Sequence, residues 1–271
     1  MGKGRPFLEV FSSALHEDYR FPILEIFVFL YTLGTFVFAS FGAALSPQYL
    51  SSEAVAYTLT ASLLGLPLFI FIILIFKNVA YDLGSDLEKG IIQTYFSYPL
   101  KRYRILTAKL LSALGIALIL FLSIQISALY VLAPDVVSQY LGTVLLTYAA
   151  TLSSSFLIAG IVLLVTLALK RGGLALVIGI VLFFGMSIIG NITIFVASST
   201  GSPLALQIMS VISPNFVLSR YYYMTQPYVP LPSDLWIPTL SEVLLYTGAS
   251  YVVVASLFFL GYVYFSRRLG L

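Results

Sequence analysis

The side chains that could take part in chemistry are concentrated in one internal stretch, YDLGSDLEKGIIQTYFSYPLKRYRILTAKLL, residues 81–111. It holds three of the 11 acidic residues and five of the 14 basic residues of the protein. Charges of both signs at this density suit contact with another protein or with anionic lipid. The stretch has no histidine or cysteine that could bind a metal or act as a nucleophile. We therefore expect it to bind rather than to catalyse.

The rest of the chain offers few parts for catalysis. There is no cysteine, and the single histidine, His16, lies beside Glu17 and Asp18, where a solvated surface role is expected. The only Gly-Lys pair is at residues 2–3, so there is no phosphate-binding loop. We predict no catalytic residue, no metal site and no cofactor in this chain.

The composition indicates the class of protein. Hydrophobic residues make up 60% of the chain and charged residues 9%, and the mean hydropathy is +1.01. These values lie outside the range of soluble domains. The chain is therefore predicted to be an all-α integral membrane protein, with one transmembrane domain covering residues 1–271.

Six uncharged runs are long enough to cross a bilayer, which takes about 20 residues: residues 26–45, 54–76, 110–133, most of 136–169, 173–197 and 243–265. The fourth run is longer than one upright helix needs, so its helix is expected to begin near Tyr140. Nearly all basic residues of the connections fall on one side of this topology: Lys3, Arg5, Arg20, Lys77, Lys89, Lys101, Arg102, Arg104, Lys170, Arg171, Arg267 and Arg268. Lys109 is expected to extend to the same side. The positive-inside rule then predicts a multi-pass protein of the cell membrane with both termini in the cytoplasm.

Two segments are expected to lie at the membrane surfaces. Residues 1–21 are predicted to form a cytosolic interfacial helix, because apolar side chains recur at helical spacing after Pro6. These side chains are Phe7, Leu8, Phe11, Leu15 and Tyr19. Residues 198–241 carry six prolines and a cluster of tyrosines with Trp236. The prolines exclude a continuous span, so a re-entrant hairpin at the outer face is predicted.

Polar side chains inside the spans are few. No acid lies near the middle of a span, so the chain lacks an evident site for proton or ion coupling. The candidates for a substrate path are Gln125, Thr147, Thr151, Ser154 and Asn191. Hydrogen bonding between helices is the favoured alternative role for these residues.

The charged stretch lies in a predicted cytosolic segment, residues 77–104, between the second and third runs. Ser85-Asp86-Leu87-Glu88 matches a capping box and predicts a helix start, and Pro99 predicts an end near Tyr98. Such a helix would have about 13 residues and a length of about 20 Å. Its apolar face would be Leu83, Leu87, Ile91, Thr94, Tyr95 and Tyr98, and its polar face Asp82, Asp86, Lys89 and Gln93. For the bases that follow, a role in topology and lipid contact is an equal alternative.

The order of residues in this segment resembles the signature of type-2 ABC exporter permeases. In that family an acidic pair, a following Gly-Thr, a short helix, a proline with a nearby arginine, and a lysine at the next span recur between spans two and three. The matching positions here are Glu88, Gly90, Pro99, Arg102 and Lys109, whereas Ile91 replaces the usual threonine. The six runs, the N-terminal interfacial helix, the outer hairpin and the basic C-terminus extend the resemblance over the whole chain.

The resemblance implies a permease subunit of an ATP-driven exporter. It implies separate ABC ATPase subunits, which would bind ATP and Mg, and a second copy of this permease or a homologous one. Membrane lipid is the other expected partner, and no nucleic acid is expected. Segment 77–104 would then carry the coupling helix, and its ATPase contacts would be Asp86, Glu88, Lys89, Gly90, Gln93, Pro99 and Arg102. An amphiphilic or lipid-like cargo is favoured. The main alternative is a passive membrane anchor or channel subunit, and an intramembrane enzyme lacks catalytic residues.

Overall fold

The computed structural model describes residues 5–44, 51–223 and 236–267, and all secondary structure within these ranges is helical. The all-α prediction is therefore confirmed. The helices are α1 Arg5–Asp18, α2 Ile23–Ala44, α3 Ser52–Ile75, α4 Leu83–Glu88, α5 Ile91–Phe96, α6 Arg102–Leu110, α7 Ala117–Leu132, α8 Pro134–Gln139, α9 Leu141–Leu169, α10 Gly172–Thr200, α11 Leu204–Ile212, α12 Pro214–Tyr223 and α13 Leu240–Arg267. Two π-helical segments, π1 (Phe76–Asp82) and π2 (Leu111–Ile116), join α3 to α4 and α6 to α7 without a break.

Five helices of the described chain are long and apolar enough to cross a membrane: Ser52–Glu88, Arg102–Leu132, Leu141–Leu169, Gly172–Thr200 and Leu240–Arg267. A sixth is counted if Pro6–Asp18 and Ile23–Val37, which meet at a bend of 65°, form one span. These helices make the protein membrane-embedded. The six-span topology and its orientation stay predictions.

The centre of the bundle is α9. It packs against α3, α10, α12 and α13, and 61% of its most apolar window is buried, compared with 18% for α10 and 22% for α13. The outward faces of α10 and α13 are apolar, with Phe184, Phe195 and Phe259 each more than half exposed. Such faces suit the hydrocarbon of a membrane, which requires no polar surface.

The end of the bundle that holds the start of α9 is covered by α11 and α12. Pro203 caps α11 and Pro214 opens α12, which is the helical position where proline is tolerated. Tyr57 of α3 stacks on Tyr222 of α12 with ring centroids 5.0 Å apart. The first half of the predicted outer segment is therefore two short packed helices, and residues 224–235 lie outside the described residues.

The N-terminal helix packs on the protein. Val10 and Ala14 are fully buried and Val10 packs on Ile105 and Ala108, whereas Leu8 of the predicted apolar face is 60% exposed. The prediction placed only Phe7, Leu8, Phe11, Leu15 and Tyr19 on the apolar side. It missed Val10 and Ala14. A small alanine such as Ala14 becomes a contact residue only when another helix lies against it.

Candidate functional site

The segment between the α3–α4 rod (Ser52–Glu88) and the α6–α7 rod (Arg102–Leu132) differs from its prediction at the start. Ser85 does not cap a helix: it lies inside a helix that continues from α3, and its carbonyl accepts the backbone N–H of Lys89 at 2.9 Å. The predicted capping box is therefore wrong. The reason is that π1 carries the helix past Asp82, so no free helix start exists for Ser85 to cap.

Gly90 ends this rod. Its φ of +72° is left-handed, a conformation that costs other residues free energy, and α5 begins at the next residue. The break rotates the following helix, so Ile92 is fully buried while Ile91 is 36% exposed. The predicted single helix with Ile91 on its apolar face is therefore wrong. Its predicted end is close, because α5 stops at Phe96 and a turn leads through Pro99 to α6.

The predicted contact residues divide into two groups. Five of them are exposed on the surface around the Gly90 break and the following turn: Glu88, Lys89, Gln93, Pro99 and Arg102. Gly90 is half-buried between them. Asp86 is only 1% exposed, so its predicted place on the solvent-facing side is wrong.

The partner of Asp86 is Lys109. Nζ of Lys109 donates to Oδ2 of Asp86 at 2.5 Å and to Oε2 of Glu17 at 2.7 Å. Lys109 is 5% exposed, so the prediction that it extends to the membrane surface is wrong. Two carboxylates hold the ammonium group inside the protein, where an unpaired charge would be costly.

A second lysine extends this network along π1. Nζ of Lys77 donates to Asp82 at 2.6 Å, to the side chain of Asn78 at 2.9 Å and to the main-chain carbonyl of Asp18 at 2.7 Å. Asn78 in turn donates to the carbonyl of Ala113 in π2 at 3.3 Å. The sequence reading missed this network. The acids Glu17 and Asp18, a few residues before the first apolar run, together with lysines at the ends of two other runs, are the signal that could have found it.

Other contacts fasten the segment to its neighbours. The guanidinium of Arg102 lies 4.6 Å from the ring centroid of Phe96, and Phe96 packs edge-on against Phe265 of α13. The hydroxyls of Tyr95 and Ser13 of α1 lie 3.2 Å apart. The segment is therefore joined to both ends of the described chain.

The α3–α4 rod also approaches the start of α10 closely. A Cβ on Gly84 would lie 2.6 Å from Cα of Gly172, and a Cβ on Gly172 would lie 2.5 Å from the carbonyl oxygen of Tyr81. Only glycine at both positions permits this approach. The backbones of α4 and α10 are therefore in direct contact.

Three of the residues predicted to line a substrate path form hydrogen bonds within the bundle. Gln125 is fully buried, donates to Thr35 at 2.8 Å and accepts from Tyr148 at 3.2 Å. Thr147 and Ser154 bond the main chain of their own helix. Thr151 is a buried hydroxyl without a partner, and Asn191 is exposed on α10. Gln125 thus has the helix-linking role that was the alternative.

A large cavity lies elsewhere in the described chain. A groove of about 540 Å³ lies between α3 and π1 on one side and α10 on the other, with Phe69, Phe76 and Phe183 in its walls. Lys77 and Tyr81 line it as well. None of the predicted path residues contributes to it. Among the described residues, no group of three or more His, Cys, Asp or Glu is placed to hold a metal ion.

Comparison of the chain with protein-family models, with curated proteins and with solved structures gave no match.

Proposed function

We propose that this chain is the membrane-spanning permease subunit of an ATP-driven ABC exporter, and that residues 77–104 form its coupling segment, the surface on which a separate ATPase subunit docks. The observation that carries the proposal is the combination of an exposed charged surface at Glu88–Arg102 with its firm attachment to α1, α10 and α13. A partner that moves this surface would move the spans with it.

The length of the α3–α4 rod supports docking of a protein rather than lipid. Its 37 residues extend over about 55 Å at 1.5 Å per residue, whereas a bilayer with its headgroups is about 40–45 Å thick. A rod that starts at the opposite surface therefore projects about 10 Å beyond the headgroups. Ile91 and Tyr98 are exposed at this end, and with that placement a protein surface rather than lipid would cover them.

The attachments give a mechanical route for such a movement. Force on the coupling segment reaches α10 through Gly84 and Gly172, and it reaches α6 and α1 through Lys109. Rigid-body tilting of packed helices of this kind switches the side to which a pathway opens. Hydrolysis of ATP with Mg is assigned to the partner subunits, and a second permease copy completes the transporter.

The cargo that fits this chain is amphiphilic or lipid-like. The groove of about 540 Å³ between α3 and α10 has mostly apolar walls, while Gln125 joins helices through its hydrogen bonds. A small ion would need several polar groups that converge on one point, whereas Gln125, Thr147 and Ser154 already bond within the bundle.

Reconstitution with the partner tests the proposal. The tagged chain is purified together with its ATPase, placed in lipid nanodiscs, and its ATP turnover is compared with that of the ATPase alone. We expect the permease to raise turnover, and the double reversal Glu88→Lys with Lys89→Glu to abolish the increase. Asp135→Lys, which reverses an exposed charge on α8, is the matched control and should keep it.

Two results would contradict the proposal. If no ATPase co-purifies, the coupling role fails. If an ATPase binds but its turnover is the same with and without this chain, a passive anchor or channel subunit is the better assignment.

A further inference from the structure

A cluster of charged side chains joins the end of α1 to the α3–α4 and α6–α7 rods, and it has more carboxylates than ammonium groups. Its members are four acids and two lysines: Glu17, Asp18, Lys77, Asp82, Asp86 and Lys109. With every member ionised, the cluster would carry two negative charges in excess. Such an excess is costly where water is largely shut out.

Three of the four acids have an ammonium partner. Asp86 pairs with Lys109 at 2.5 Å and Asp82 pairs with Lys77 at 2.6 Å. Glu17 shares Lys109 at 2.7 Å, and its side chain is 39% exposed, so water also solvates it. These three carboxylates are therefore compensated.

Asp18 is the remaining acid, and it is 3% exposed. Its carboxylate bonds the hydroxyl of Ser112 in π2. No ammonium group lies within 4.0 Å of that carboxylate in the part of the chain that the structure describes, because Lys77 bonds the main-chain carbonyl of Asp18 instead. A cavity of about 10 Å³ beside it holds one water at most, so hydration does not replace the missing cation.

We propose that Asp18 is a proton-binding site, and that its proton fastens the end of α1 to the α3–α4 and α6–α7 rods. A protonated carboxyl keeps its hydrogen bond to Ser112 and carries no buried charge. An ionised carboxyl at the same place repels the neighbouring acids, so the end of α1 is held less firmly. The inference is independent of the proposed transport function.

The pKa of Asp18 is set by burial and by the polar and charged groups around it. Burial, with repulsion by Asp82, raises the pKa of Asp18 to about 7, although Ser112, Lys109 and Lys77 act in the opposite direction. The other ionisable groups at the joint are Glu17 and Tyr19 on α1, Lys77 and Asp82 on π1, Asp86 on α4 and Lys109 on α6. Asp18 is the buried acid of the cluster that forms no ion pair with any of these groups.

Infrared titration of the whole protein in lipid nanodiscs detects the proton directly. We expect a carboxylic-acid C=O band that disappears with a midpoint near pH 7, far above the ordinary aspartate value of 3.8. Asp18→Asn should remove this band. Glu9→Gln, which neutralises an exposed acid on the same helix, should keep it, and Ser112→Ala should shift the midpoint upward because the hydroxyl stabilises the ionised form.

Amide hydrogen exchange of α1 tests whether the proton on Asp18 stabilises the packing of α1 on the two rods. Relative to Asp18→Asn at the same pH, the wild-type α1 should exchange faster above pH 7 and equally below it. The proposal is overturned if no carboxylic-acid band titrates near neutral pH, if Asp18→Asn leaves the band in place, or if α1 of wild type and variant exchange alike at every pH.

Discussion

Nζ of Lys109 lies 2.5 Å from Oδ2 of Asp86, although the two residues belong to different rods and neither side chain is more than 6% exposed. The same ammonium group holds Glu17 of α1. Three helices that are distant in sequence therefore meet at one charge. This charge lies directly behind the surface that we assign to an ATPase partner.

Removal of Lys109 should leave Asp86 as a buried, unpaired carboxylate. We expect Lys109→Met to lower the free energy of unfolding by about 3–5 kcal/mol. Denaturant unfolding in detergent micelles measures the loss, with Lys89→Met as the exposed control. Adding Asp86→Asn should restore much of the stability, and a double variant as unstable as Lys109→Met would contradict the pairing.

Substitution at the Gly84–Gly172 contact should separate α4 from α10. The Cβ of Gly172→Ala would lie 2.5 Å from the carbonyl oxygen of Tyr81, whereas Gly173→Ala has open space around it. We expect the first variant to lower the apparent Tm by several degrees. For a chain of this size, each kcal/mol of lost stability lowers Tm by about 2–4 °C. The second should leave the apparent Tm unchanged. Equal stability of the two variants would show that the helices are not in tight contact.

The pKa of Asp18 sets a direction for the pH dependence of stability. Because the folded state raises this pKa from 3.8 to about 7, the folded protein binds the proton more tightly than the unfolded chain does. The free energy of unfolding should therefore rise as the pH falls from about 7 towards 4, by up to about 1.4 kcal/mol per pH unit. Asp18→Asn should flatten this part of the profile and stabilise the protein above pH 7. A wild-type profile that matches the variant would contradict the assignment.

Gln125 should matter for stability more than for transport. Gln125→Leu removes its hydrogen bonds to Thr35 and Tyr148 and leaves Tyr148 without a buried acceptor. We expect a loss of about 1–3 kcal/mol in the free energy of unfolding. In a transport assay normalised to folded protein, the rate should stay within a few-fold of wild type. A normal apparent Tm with abolished transport would instead place Gln125 in the substrate path.

Several features of the fold follow from the sequence alone. The long uncharged runs predicted where the apolar helices lie, because a helix is the local structure that satisfies backbone polar groups in lipid. Two inner ends were missed, since the helix of the second run continues to Glu88 and that of the third run begins at Arg102. The helix of the fourth run was expected to begin near Tyr140, and α9 begins at the next residue, Leu141. Pro99 likewise placed the end of the helix before it within two or three residues, since proline disfavours helical geometry at the preceding residue.

Tertiary structure decided the rest. Ser85 to Glu88 has the pattern of a capping box, but π1 extends α3 through it, and a π-helical continuation depends on packing against π2 and α10 rather than on local propensity. The burial of Asp86, Lys109 and Asp18 also could not be read from the chain, because a charged residue is buried only when residues far away in sequence supply its partners. The sequence by itself determined that the protein is a helical membrane protein with its charge concentrated between two rods. Only the folded structure decided which of those charges face outward and which hold the helices together, because long-range ion pairing makes that division.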